Sequence, residues 1–328
     1  MRMPVRRQPR QAGQHGPDQA GRDRDRARSF TIADQPILAS RPTPGLYLVA
    51  TPIGNLGDIT LRALQMLAGA DVIVCEDTRV TRKLLDRYGI ATPLTPYHDQ
   101  NAAQARPALL RRLAEGAAVA LVSDAGTPLI SDPGFKLVRA AQAAGHMVTA
   151  LPGASAVLTA LTVAGLPTDQ FFFAGFLPPK AAARRARIAE LAPLPATLIL
   201  FESGPRIAAS LADLAAGLGA NREAAVCREL TKLHEEIRRG ELASLAAACA
   251  ENELRGEIVI VIAPAPAPTQ IGAAESESLL RDALQRLSLK DAVAEIAQLT
   301  GQRRRDIYQH ALALQKAAKK EAKHGAPR

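Results

Sequence analysis

The 328-residue sequence has no tryptophan, only 3% aromatic residues and three cysteines. So few aromatics argue against a module that reads single-stranded nucleic acid by stacking bases on Phe or Tyr. Cys75, Cys227 and Cys249 are far apart and form no C-x-x-C or Cys/His ligand spacing, so neither a disulfide framework nor a metal site is expected. Three structural thiols in a reducing compartment are the reading. No apolar run reaches the roughly 18 residues of a membrane span, and no hydrophobic region follows the N-terminal arginines. A soluble, cytoplasmic protein with no membrane partner is expected.

What is present is the composition of a globular chain, 47% hydrophobic and 22% charged, with room for two domains and a small third module. The formal charge of +9 is unevenly placed. Residues 1–30 hold eight Arg against three Asp, and residues 302–328 hold eight Lys or Arg against two acids, which leaves residues 31–301 at −2. The two ends, not the body, attract polyanions. Asp, Pro and Gly interrupt the arginines of the start, so residues 1–43 read as a disordered tail, or in part as a mis-assigned start, rather than as a transit peptide.

From Gly45 onward, apolar strand-like runs alternate with helix-period segments, the pattern of an α/β architecture built from βαβ units. Runs at Leu46–Ala50, Val72–Cys75, Ala118–Val122 and Val148–Leu151 place a first α/β domain at 44–165. Runs at Phe171–Phe176, Thr197–Phe201, Ala224–Cys227 and Ile258–Ile262 place a second at 166–264. Pro264, Pro266 and Pro268 alternate with alanines and predict a stiff linker over 265–275. Residues 276–328 read as a basic helical module. Ser288-Leu-Lys-Asp291 resembles a capping box, with Ala292, Val293, Ile296, Ala297 and Leu299 on one face of the helix that follows. A break at Thr300-Gly-Gln302 then leads to a helix that opens on Arg303, Arg304 and Arg305 and turns Ile307, Ala311, Leu312 and Leu314 inward. This is a helix-turn-helix pattern with a basic first turn, and a plain helical hairpin with solvated charges fits it equally well.

In open α/β sheets, ligands bind beyond the carboxyl ends of the strands. The first such loop is Thr51-Pro-Ile-Gly-Asn-Leu-Gly-Asp58, which is not G-x-G-x-x-G and so disfavours a dinucleotide-binding Rossmann domain. The second is Glu76-Asp-Thr-Arg79, where helix capping by Asp77 or Thr78 with a local Arg79 pair competes with acid–base chemistry. The third, Ser123 to Gly134, is long and chemically dense; Ser131-Asp-Pro133 suits the start of a helix, but capping does not explain Ser123 to Pro128. The fourth, Pro152-Gly-Ala-Ser-Ala156, leaves room for a flat ligand against the backbone.

These loops, with Tyr97-His-Asp-Gln-Asn101, Phe201-Glu-Ser203, Arg228-Glu-Leu-Thr-Lys232 and Arg255-Gly-Glu257, resemble the ribosomal RNA small-subunit methyltransferase I family over about residues 44–315. The resemblance implies the tetrapyrrole-methylase fold, two α/β domains with S-adenosylmethionine in the cleft between them, usually as a homodimer. It implies 2′-O-methylation of a cytidine ribose in the decoding region of 16S rRNA, within the small ribosomal subunit. Carried over by motif, the cofactor contacts are Pro52, Asp124, Ala125, Gly126, Thr127, Ser155 and Ala156. Similar sequences often carry a His ahead of Arg206, where this chain reads Gly204-Pro205, so a mechanism that needs an imidazole there is put in doubt.

Glu76, Asp77 and Asp132 are the candidate bases, and Arg79, Arg206, Arg228, Lys232, Arg303, Arg304 and Arg305 the candidate RNA contacts. His98 beside Asp99 is read as a structural pair, and Glu229, Glu235 and Glu236 as a solvated acidic face. Two alternatives remain open: a methylase of the same fold acting on a small tetrapyrrole, and a non-catalytic rRNA-binding assembly protein.

Overall fold

A computed structural model describes residues 28–131, 133–252, 254–265 and 273–324. The expectations on residues 1–27, on Asp132, on most of the Ala/Pro linker and on the last four residues lie outside these.

Regular structure starts before Gly45, a correction to the tail expected over 1–43. β1 (Ser29–Ile32) and β2 (Gln35–Leu38) form an antiparallel hairpin turned by Ala33 and Asp34, both at positive φ. Phe30 is buried in the first core. Arg28 and Arg41 both donate to Asp71, at 2.8 and 2.9 Å, and Asp71 also accepts the N–H of Ala118. Two four-residue strands with an Ala-Asp turn lack the Asn-Gly signal by which such hairpins are read.

The first large sheet holds β3 (Gly45–Val49), β4 (Val72–Cys75), β5 (Leu94–Pro96), β6 (Ala118–Val122) and β7 (Val148–Leu151), all parallel, in the order β5-β4-β6-β3-β7. Its central strands are apolar without alternation because both faces are covered. α1 (Leu61–Gly69) and α2 (Thr78–Arg87) pack one face together with the hairpin, and α3 (Ala102–Ala114) and α4 (Phe135–Ala143) pack the other. α5 (Ala156–Ala164) follows β7 but buries Val157, Ala160, Leu161 and Ala164 against the second sheet. It therefore holds the two halves together.

The second sheet is mixed. It holds β8 (Phe171–Phe176), β9 (Thr197–Ser203), β10 (Glu223–Arg228), β11 (Glu236–Glu241) and β12 (Glu257–Ile262), in the order β11-β10-β12-β9-β8, and only β8 and β9 are parallel. α5 covers one face. α6 (Ala181–Leu191), α7 (Ile207–Leu218) and α8 (Leu242–Glu251) cover the other. Glu236, expected on a solvated face, instead starts β11 and pairs with Arg238 at 2.6 Å. The segment EIRRGE has no apolar alternation and becomes a strand only because β10 offers it a ladder.

Beyond the linker, three helices surround one small core: α9 (Ala273–Arg286), α10 (Leu289–Thr300) and α11 (Arg304–His324). Ser288 caps α10 by accepting the N–H of Asp291, and Gly301 ends it at φ 67°. Leu299 is half exposed and Leu312 stands outside that core, contrary to expectation, while Ile307 and Ala311 are buried as expected.

α6 and α7 are joined by a buried ion pair. Arg184 reaches Asp213 at 2.6 and 2.7 Å with both side chains only 9% exposed, and Arg185 reaches the other oxygen at 2.8 Å. Removing the carboxylate strands a buried guanidinium. Asp213→Ala is expected to lower unfolding free energy by about 3–5 kcal/mol in a denaturant titration, whereas a change under about 1 kcal/mol would show that the pair is solvated.

Candidate active site

A cavity of about 370 Å³ lies between the two sheets. The first sheet contributes Ile53 from the loop after β3, Ala125, Gly126 and Thr127 from the loop after β6, and Ser155 and Ala156 at the start of α5. The second contributes Phe201, Glu202 and Ser203 at the end of β9, Leu230, and residues 256–259. The walls are mostly apolar, and the polar groups sit on the loops.

Hydrogen bonds between loops set this shape. Thr51 and Gly126 exchange backbone bonds in both directions, at 2.9 and 3.0 Å, forming an isolated antiparallel bridge. Thr51 Oγ1 donates to the Ser123 carbonyl, and Ser123 Oγ donates to that of Gly126. Thr127 Oγ1 donates to the Ala154 carbonyl, which brings in the loop after β7. Gly126 sits at φ +79°, where a Cβ would lie 3.2 Å from Ile53 Cγ2. A side chain at this position is strained and pushes on the cavity wall.

A second cavity, of about 280 Å³, lies beside the first. Ile53, Ala125 and Glu257 line both. Of the seven expected cofactor contacts, Ala125, Gly126, Thr127, Ser155 and Ala156 line the larger cavity, and Pro52, Asp124 and again Ala125 line the smaller. One site thus gathers residues that are about a hundred positions apart in sequence.

Asp124 accepts the backbone N–H of Asp77 at 3.1 Å, tying the loop after β6 to the loop after β4. Asp77 caps α2 by accepting the N–H of Arg79, and pairs with its guanidinium at 2.6 Å. Those bonds hold the Asp77 carboxyl down at about 2. The capping reading therefore describes Asp77 and Arg79, and so low a pKa makes Asp77 a poor proton acceptor. Glu76 is different: desolvation first, then the charges of Asp124 and Asp99, push its carboxyl above the ordinary range, against the opposing pull of His98. Asp132 lies outside the described residues. α4 starts only at Phe135 with Gly134 as its cap, so the helix does not begin on the expected Ser131-Asp132-Pro133.

Among the candidate RNA contacts, Arg206 donates to the Leu177 carbonyl at 2.7 Å and approaches buried Glu202, and Arg228 donates to the Arg255 carbonyl at 2.7 Å. Both are engaged in holding loops. Lys232 lines the smaller cavity, its amine bonded to Glu229 at 2.9 Å and Glu257 at 3.0 Å. Glu229, expected on a solvated face, is instead part of this clasp, and it also accepts the Glu257 N–H. Glu235 is exposed and accepts the N–H of Thr231. Arg303, Arg304 and Arg305 are exposed where α11 begins. Gly204 packs so closely on the chain that a Cβ would lie 2.9 Å from Arg255 Cα, and no imidazole stands between it and Arg206.

Leu230, Glu257 and Val259 line the site without having been singled out individually. Glu257 belongs to the quoted Arg255-Gly-Glu257 segment, but nothing local marks Val259, an apolar residue inside a strand, as facing a ligand.

The chain matches the family model described as Tetrapyrrole (Corrin/Porphyrin) Methylases over residues 45–246, and the RsmI C-terminal HTH domain over 270–315. A Mesorhizobium japonicum protein named ribosomal RNA small subunit methyltransferase I is 50% identical over 285 residues, which is 86% of this chain and 97% of that one. Its Escherichia coli O157:H7 counterpart of the same name is 44% identical, over 81% of this chain and 94% of that one. Among solved structures, a cobalt precorrin-4 methyltransferase aligns with a TM-score of 0.52 at 20% identity, over 66% of this chain and 94% of that one. A conserved hypothetical protein from Aeropyrum pernix aligns at 0.54 and 20%, over 84% and 98%. These two show a shared fold. The chain belongs to the tetrapyrrole methylase family and, within it, to the ribosomal RNA small subunit methyltransferase I family.

Proposed function

We propose that the chain transfers a methyl group from S-adenosylmethionine to the 2′-hydroxyl of a cytidine ribose in small-subunit (16S) ribosomal RNA. The observation that carries this reading is the 50% identity along 97% of a relative bearing that name, which spans both the two-sheet body and the helical unit. A tetrapyrrole substrate would leave the basic helical unit without a role. A non-catalytic binder would leave the loop-lined cavity without one.

The larger cavity fits S-adenosylmethionine. Its apolar walls suit an adenine ring, and small residues at 125, 126 and 156 let the backbone come close. Residues 125–127 with Ser155 and Ala156 would hold the cofactor, with Pro52 and Asp124 at the boundary to the second cavity. When bound, the cofactor supplies a methyl group already activated by a positively charged sulfur.

The chain then has to align the ribose hydroxyl and remove its proton. Alignment is worth roughly 7–11 kcal/mol. A positioned base adds about 10²–10⁴ in rate, roughly 3–5 kcal/mol. Geometry is the larger contribution, which is why the bridged loops matter more than any one carboxylate. Glu76 is the base this reading keeps: it is exposed and lines neither cavity, but it precedes Asp77, whose N–H bonds the cavity-lining Asp124, and its carboxyl pKa is raised where that of Asp77 is lowered. Asp77 and Asp124 position that loop. Arg303, Arg304 and Arg305 contact RNA phosphates, and Lys232 orders the cavity wall. A homodimer completes the reading, for which Phe171 and Phe172, exposed on the edge strand β8, offer apolar surface.

Three outcomes follow. Gly126→Ala is expected to weaken S-adenosylmethionine binding at least tenfold in a calorimetric titration, while costing folding only about 1–2 kcal/mol; unchanged affinity would remove the loop after β6 from the site. Because Glu76 must be ionised to accept a proton, activity is expected to rise with pH through a limb above the usual carboxylate range. Glu76→Gln should abolish that limb and slow single-turnover transfer about 10²–10⁴-fold, and a change of only a few-fold would leave alignment as the whole mechanism. Replacing Arg303, Arg304 and Arg305 with Ala should reduce the slope of log affinity for rRNA against log salt by about 2–3, at roughly 0.7–0.9 per lost contact, and leave cofactor affinity as it was. An unchanged slope would remove α11 from the RNA interface.

A further inference from the structure

We infer that the flank of α2 carrying Lys83 and Arg87, at the rim of the smaller cavity, is a second RNA-binding surface, seated on the catalytic body and holding phosphates beside the target nucleotide. This rests on the RNA-methylation reading and adds a contact that does not depend on α11.

α2 differs in charge from the chain around it. Thr78–Arg87 holds Arg79, Arg82, Lys83 and Arg87 against one acid, Asp86, inside a stretch, residues 31–301, that sums to −2. Arg79 is taken up by Asp77. Arg82, Lys83 and Arg87 are exposed, and among the described residues none of them forms an ion pair, although Asp86 lies within one turn of each. Lys83 and Arg87 are four positions apart and so neighbours on one flank, a placement of like charges that weakens a helix. Folding gives no reason for it.

That flank borders the smaller cavity. Val80, Lys83 and Leu84 line the cavity from α2, and Arg87 follows Lys83 one turn on, about 5–6 Å away. Leu56 lines it from the loop after β3 and, like Val80, stays about two-fifths exposed, at 40% and 39%. The rim is held in place: Tyr88, directly after α2, donates its hydroxyl to the Leu56 carbonyl at 2.7 Å, and Asn55 caps the turn Leu56–Asp58. Two unpaired cations and two exposed apolar side chains on a fixed rim suit an RNA strand, with phosphates on the first and sugar or base on the second.

Charge decides where such a strand lies. Asp124 and Glu257 line the cavity and repel phosphate, whereas Lys83 attracts it. The other cation of the cavity, Lys232, is held by Glu229 and Glu257. The backbone therefore runs along α2 rather than into the recess. The wall shared by the two cavities, at Ile53 and Ala125, places that path one cavity away from the proposed cofactor site.

The test uses the full-length protein and purified small ribosomal subunits lacking the modification, with affinity measured across a series of salt concentrations. Joint Lys83→Gln and Arg87→Gln substitution should lower the slope of log affinity against log salt by about 1.5, at roughly 0.7–0.9 per lost phosphate contact, and weaken binding about tenfold at moderate salt. Joint Lys83→Arg and Arg87→Lys substitution, which keeps the charge, should keep the wild-type slope. Arg111→Gln with Arg112→Gln removes the same charge from exposed positions on α3, across the first sheet, and should leave the slope as it was. A wild-type slope for the Lys83/Arg87 double variant overturns the inference, and so does an equal loss in the Arg111/Arg112 control, which would make net charge the cause. A changed oligomeric mass with an unchanged slope would make the flank a contact between copies of this chain and also overturn it. Absence of methyl transfer to these subunits by the wild type would instead overturn the RNA-methylation reading itself.

Discussion

The reciprocal backbone bond between Thr51 and Gly126 is the constraint on which the site depends. Parallel strands β3 and β6 end side by side, and their loops would diverge without a cross-tie. The bridge extends pairing past the end of the sheet. Ser123, Thr127 and the Ala154 carbonyl then carry the tie to the loop after β7. Because Gly126 needs positive φ and sits against Ile53, the bridge and the cavity wall are the same few atoms. This explains how a cleft lined by small apolar residues can keep its form.

Electrostatics supplies the second layer. Asp124, Asp77, Glu76 and Asp99 are drawn together at the carboxyl ends of β4, β5 and β6, and they are not equivalent. Asp77 is neutralised by Arg79 and committed to a helix cap, while Glu76 has no ion pair among the described residues and carries the repulsion of its neighbours. Across the cleft, Lys232 holds Glu229 and Glu257 together beside the first loop. The two halves of the molecule therefore meet at packed apolar groups through α5, and where the stem of the clasped Lys232 lies against Gly54 of the first loop. The basic charge lies in the sequence outside residues 31–301, and α11 presents part of it as Arg303, Arg304 and Arg305.

Much of this was legible from sequence for physical reasons. Strands buried in the sheets read as apolar runs, so four strands of the parallel sheet and four of the mixed sheet were found within two residues. β1, β2, β5 and β11 were not: they are short or polar, and take their conformation from a neighbour rather than from their own pattern. α9 (Ala273–Arg286) lacks a local start signal of the kind that Ser288 gives α10, so only a helical module as a whole was legible there. The loops after β3, β4, β6 and β7 could be placed at one sheet edge from topology alone. Which of their residues face a ligand could not, since Leu230, Glu257 and Val259 come from the opposite sheet and approach only once α5 has docked on it. The same limit separated Glu229 from the solvated face to which its sequence context assigned it. Its role depends on Lys232 and Glu257, and pairing across a turn is invisible until the turn is built.

The decisive measurement is the position of label after the purified protein is incubated with methyl-labelled S-adenosylmethionine and small ribosomal subunits lacking the modification. Complete nuclease digestion should return the label as 2′-O-methylcytidine from 16S rRNA. Label on a base, on a tetrapyrrole offered in competition, or in no product at all would contradict the assignment of this cleft to ribose methylation.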